Sequence, residues 1–135
     1  MPPELELVRQ WVERAQADLR AATVLETDPS LTSEVCFHCQ QAAEEALKAY
    51  LTFKGIEFEF VHSIVYLLDL ATEEDRAFER FRNSAESLTQ YAVRFRYPQS
   101  TAAPTPNDAK EALTVAQEVI SFVIQRLPSQ ISPGI

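Results

Sequence analysis

The stretch VRFRYPQST, residues 93–101, places two guanidinium groups beside two aromatic rings and follows them with an amide and two hydroxyls. Guanidinium forks pair with phosphate or carboxylate, and an aromatic ring beside one suits stacking on a nucleobase. A cation in the last helical turn also complements the helix dipole, by about 0.3–1 kcal/mol. Arg94 and Arg96 lie two residues apart, so on a helix their side chains diverge by about 200° and cannot form one clamp. Arg96, next to Tyr97 and near Thr101, is the candidate site residue. Cap and ligand contact are both open readings.

Other residues invite chemical readings. His62 has a side chain suited to proton transfer near neutral pH. It also precedes Ser63, where a short polar residue satisfies the first amides of a helix. Cys36 and Cys39 form C-x-x-C around His38, but no βαβ pattern surrounds them and no four-ligand set accompanies them. Both fall on an apolar arc and read as small core fillers. No metal site or cofactor is expected. In FHCQQAAEEALKAY, Phe37, Gln41, Glu44 and Lys48 share one sector opposite the alanine-rich arc. That sector reads either as a solvated face with a Glu44–Lys48 ion pair, or as a wall for a ligand or partner, with Phe37 and Glu44 at the interface.

The elements that must hold these groups are helical. Leu5, Val8, Val12, Ala15, Leu19 and Ala22 step by three and four along a first helix that Asp28-Pro29 ends. Thr32 or Ser33 is placed to cap a second helix over 33–54. It buries Val35, Cys39, Ala42, Ala46, Ala49, Tyr50 and Phe53 and stops at Gly55. IEFEFV alternates like a strand but has no partner to pair with, so it is expected as extended loop. A short helix follows from Ser63 to about 71. Thr72 to Asp75 resembles a capping box for a helix carrying Phe78, Phe81, Ala85, Leu88, Ala92 and Phe95. Pro98 ends that helix at the opening motif. Thr105, Pro106 and Asp108 start the last helix, whose stripe runs through Ala109, Ala112, Ala116, Val119, Ile120, Val123 and Leu127. The expected fold is all-α: an antiparallel up-and-down four-helix bundle with one additional short helix. One domain spans residues 1–127, with a frayed tail at 128–135.

Composition narrows the function. Two glycines suit helices, and two cysteines fit a reducing compartment. With no leader and no long apolar run, a soluble cytoplasmic protein is expected. A net charge of -8 argues against broad duplex DNA binding, because phosphate affinity rests on Lys and Arg.

CFHCQQAAEEALKAYLTFKG, HSIVYLL beginning at His62 and RYP at 96–98, with ERAQADLRAA on the first helix, together resemble the HEPN (higher eukaryotes and prokaryotes nucleotide-binding) family over about residues 8–127. The resemblance implies a homodimer whose helices pair to form a cleft, with a nucleotide or RNA end as ligand. Lys48 and Gln41 would assist Arg96, Tyr97 and Thr101 there. Many members act beside a minimal nucleotidyltransferase, as toxin to its antitoxin. A non-catalytic interaction subunit for such a partner is the alternative. Ribonuclease members carry Arg, four to six residues, then His. Arg96 matches the arginine, but Thr101, Ala102 and Ala103 occupy the histidine positions. Binding is therefore expected to survive better than cleavage, and His62 is the remaining candidate for an atypical ribonuclease site.

Overall fold

The structure is a computed structural model, and it describes residues 2–96 and 103–131, excepting the side chains of 92–96. Its helices are α1 (Pro3–Leu25), α2 (Thr32–Phe53), α3 (Ile64–Glu74), α4 (Arg82–Arg96) and α5 (Pro106–Ile124). There is no strand among the described residues, and IEFEFV is irregular loop, as expected. No described helix is long and apolar enough to cross a membrane.

α2 is the hub, packed by α1, α3, α4 and α5. Alanines at 42, 43, 46 and 49, all buried, let its neighbours approach closely. The stripes expected on α1 and α5 are in the core or packed against it, and Cys36 and Cys39 are buried core thiols. At the end of α2, Gly55 takes φ +69°, and Ile56 N–H donates to the Leu51 carbonyl while Gly55 N–H donates to that of Thr52. This is a glycine-dependent helix stop, legible as Lys54-Gly55. α5 begins with the expected cap: Thr105 Oγ1 accepts from Asp108 N–H, and Asp108 Oδ2 accepts from Thr105 N–H.

Two boundaries differ from the sequence reading. Thr32 does not cap α2 but is its first residue, and the N-cap is Leu31 with no side-chain bond. A 3-10 turn over Pro29–Leu31, held by Asp28 accepting from Ser30 N–H, leads straight into the helix. Thr72 likewise lies inside α3, and the cap is Asp75, whose carboxylate accepts from Ala77 N–H. Asp is the stronger cap, and Arg126 Nε donates to its other oxygen at 2.8 Å, so the chain breaks there. A 3-10 segment, Arg76–Phe81, then carries Phe78 and Phe81 into the core before α4 starts. In the tail, Ile131 is buried and its N–H donates to the Pro128 carbonyl.

α3 and α4 run in opposite directions. Arg82, first in α4, pairs with Asp69 at the middle of α3, while Leu88 lines the same apolar cavity as Ile64, first in α3. The C-terminal end of α4 therefore lies at the end of the molecule where α3 begins.

Phe78 is fully buried between Tyr50, 4.6 Å between ring centroids, and Phe122, at 4.8 Å. Phe78→Ala is expected to lower the free energy of unfolding by about 3–5 kcal/mol in urea titrations, since it empties a site walled by Tyr50 of α2 and Phe122 of α5.

Candidate functional site

The polar sector of α2 is not a solvated face. Glu44 is 1% exposed and Lys48 7%, while Gln41 and Phe37 are half-buried, with the Phe37 ring edge-on to His38. The surface ion pair between Glu44 and Lys48 that a solvated face would carry is not among the ion pairs of the described residues. The hub position explains this: with helices on every side, α2 has no face to give to water.

Both oxygens of Glu44 have a partner, whereas Gln40 Oε1 and Glu45 Oε1 are buried without a hydrogen bond. Glu44 Oε1 accepts from Gln40 Nε2 at 3.0 Å, and Glu44 Oε2 lies 3.3 Å from His62 Nδ1. His62 stands just before Ser63, whose hydroxyl caps α3 by accepting from Tyr66 N–H. The His62 side chain is 58% exposed although the carboxylate behind it is buried. The result is a solvent-facing imidazole anchored from the interior. Nδ1–H donating to Glu44 fixes the tautomer and leaves Nε2 as the lone-pair nitrogen of the neutral ring. A carboxylate–imidazole pair of this kind can orient a proton acceptor.

A second polar group joins α1 to α2. His38 Nδ1 meets Asp18 Oδ1 at 2.8 Å, and Arg14 Nε lies 3.4 Å from Glu45 Oε2. Trp11 has the Arg14 and Lys48 cations over its ring, at 5.4 and 5.2 Å from its centroid. Burial first, and then the neighbouring Asp18, together push the Glu45 carboxyl up to about 8 against the pull of Arg14 and Lys48. The Arg14 head is 67% exposed, so its charge is screened by water and does little to offset that burial. Lys48 is thus a packed cation above Trp11 and not an extended arm.

Of the residues singled out in the sequence, Glu44 and His62 are brought together, and Gln41, Lys48 and Phe37 lie on the same helix as Glu44. Arg96 closes α4, but its side chain, and Tyr97 and Thr101 altogether, lie outside the described residues. No group of three or more metal-ligating side chains occurs among the described residues. The sequence reading missed Gln40 beside Glu44, and Asp18, His38 and Glu45 between α1 and α2. The adjacent glutamates were the available signal: 100° apart in the middle of an alanine-rich helix, both cannot avoid the packed faces.

These features coincide with a known domain. A model of the HEPN domain matches residues 8–127. The chain belongs to the HEPN family. A Methanocaldococcus jannaschii protein named "Putative toxin MJ1304" is 28% identical, with 88% of this chain and 87% of that protein covered. The crystal structure of TT1696 from Thermus thermophilus superposes with a TM-score of 0.79 at 33% identity, covering 89% of this chain and 98% of the other. That of ST0689, an archaeal HEPN homologue, gives 0.71 at 28%, covering 88% and 96%.

The Glu45 environment has a measurable consequence. In the folded protein the carboxyl keeps its proton to a higher pH than in the unfolded chain, so stability falls as pH rises from about 4.5 to about 8. Glu45→Gln is expected to flatten that fall, by up to about 1.4 kcal/mol per pH unit, in urea unfolding measured between pH 5 and 8.5. Identical pH dependence in both proteins would remove Glu45 as its source.

Proposed function

We propose that this HEPN protein binds a nucleotide or an RNA end in a cleft formed by two copies of the chain, with Arg96 pairing phosphate. Tyr97 stacks on or hydrogen-bonds the base, and Thr101 and the half-buried Gln41 add polar contacts. Lys48, packed over Trp11, contributes positive potential from beneath. Phe37, half-buried, belongs to the wall where the copies or a partner meet, whereas Glu44, expected there too, is 1% exposed and lies behind it. The protein acts in the cytoplasm, beside a minimal nucleotidyltransferase in a toxin–antitoxin arrangement, a role supported by the archaeal relative whose name includes "toxin".

The observation that carries this reading is that α4 closes at Arg96, the first residue of the sequence RYP, in a chain that matches the HEPN model from 8 to 127. A guanidinium at a helix end beside a tyrosine has the reach for phosphate and the ring for a base. Thr101, Ala102 and Ala103 offer no imidazole, so this segment binds and does not itself move protons. A hydroxyl or a guanidinium is poorly matched to proton transfer near pH 7.

The test is a binding titration of wild type and Arg96→Ala with a labelled single-stranded RNA, and with ATP and GTP. Loss of a charge-assisted phosphate contact of about 1.5–3 kcal/mol predicts roughly 10- to 100-fold weaker binding by the variant. No measurable binding of any of these by the wild type would contradict the reading. Light scattering is expected to give a dimer at micromolar concentration, and a clean monomer would contradict the composite cleft.

A further inference from the structure

Trp11, Arg14 and Asp18 are three and four residues apart, so they share one face of α1. His38, Glu45 and Lys48, seven and three apart, share one face of α2. The two faces meet rung by rung in opposite chain directions: Trp11 with Lys48, Arg14 with Glu45, and Asp18 with His38. The two end rungs are satisfied. Lys48 lies over the Trp11 ring, and His38 Nδ1 is 2.8 Å from Asp18 Oδ1.

The middle rung is short of donors. Glu45 is 4% exposed, and its only ion-pair partner among the described residues is Arg14, whose Nε lies 3.4 Å from Oε2. Glu45 Oε1 is buried and has no hydrogen-bond partner. A buried carboxylate with one oxygen empty is costly to keep ionised. The other side chain of α1 within hydrogen-bonding reach of Glu45 is Asp18, which is itself an acceptor. Two carboxyl groups can bond to each other only through a proton, and at that distance both cannot readily be charged. A donor from His38 on Asp18 favours Asp18 as the ionised member, which puts the proton on Glu45. From its own helix, Lys48 completes the charged groups around Glu45. Among the described residues no charged side chain of α3, α4 or α5 acts on it.

We propose that Glu45 and Asp18 share one proton across the α1–α2 contact, and that this proton is a pH-sensitive latch on α1. With the proton in place, the Glu45 O–H donates to the Asp18 carboxylate and the rung carries a single negative charge. When hydroxide removes it, two carboxylates oppose each other within a packed contact, their hydrogen bond is gone, and α1 loosens from α2 around Asp18. Burial and Asp18 raise the Glu45 carboxyl to about 8, so the latch is closed below that pH and opens above it. Trp11, the one tryptophan of the chain, lies on the same face of α1 about two turns before Asp18, so its emission reports the joint. The latch is independent of nucleic-acid binding.

Side-chain carboxyl 13C signals of labelled protein and Trp11 emission, both followed from pH 5 to 10, test it. In the wild type the Glu45 signal is expected to titrate near pH 8, with a step in Trp11 emission at the same midpoint. Asp18→Asn replaces the opposing charge with an amide that can donate, and is expected to lower the Glu45 midpoint by at least about 1 pH unit. Glu45→Gln donates to Asp18 at every pH and is expected to abolish the emission step. A Glu45 midpoint that Asp18→Asn leaves in place overturns the shared proton, with burial alone as the cause of the shift. Titration of wild-type Glu45 in the ordinary carboxylate range overturns it without recourse to any variant. A Glu45 titration near pH 8 with no accompanying change at Trp11 overturns the latch.

Discussion

Burying Glu44, Glu45 and Lys48 on one helix removes three ionisable side chains from water, and each must be held by its surroundings. α2 can be the hub only because its neighbours supply what those groups need. His62, at the entrance to α3, faces Glu44. Trp11 of α1 takes the Lys48 cation on its ring, and Arg14 and Asp18 surround Glu45. The alanines between them allow close helix packing, so the polar groups have no slack in which to find water. The positions of α1 and of the loop before α3 are thereby tied to the chemistry of α2.

This arrangement separates two uses of buried charge. The α1–α2 group is a packing joint: Glu45 is buried and pushed toward its neutral form, while Arg14 is largely in solvent. The Glu44–His62 pair faces outward, because a buried carboxylate holds an exposed ring. Only the second presents a titratable nitrogen to the end of the molecule where α4 terminates. Cysteine chemistry has no part in either. Burial raises the Cys39 thiol, so it remains a protonated core residue.

Most of the architecture is legible from local rules. The stripe on α1, the glycine stop at 55, the Thr105–Asp108 capping box and the irregular IEFEFV segment each follow from spacing or from one residue's backbone preference. The differences are of another kind. Thr72 reads as a cap because the sequence around it fits a capping box, but Asp75 takes that role through Arg126, 51 residues away. Of the two readings of the polar sector of α2, the solvated face fails because a helical wheel assigns one buried face and a hub helix has several. Glu44 with His62, and Asp18 with His38, are 18 and 20 residues apart and meet only through tertiary packing. The candidate site is legible in part: His62 and Arg96 stand out by residue type, but their shared end follows from the reversal between α3 and α4.

The central claim is that the end bearing His62 and the α4 terminus is where a nucleic-acid ligand sits. The most direct measurement is a two-dimensional NMR titration of the labelled protein with a short single-stranded RNA, following backbone amides and histidine ring signals together. The account expects the largest shifts at the last turn of α4 and at the His62 ring, with His38 and the α1 face little changed. Shifts concentrated along α1 or in the groove between α1 and α5, with His62 and the end of α4 unmoved, would contradict it.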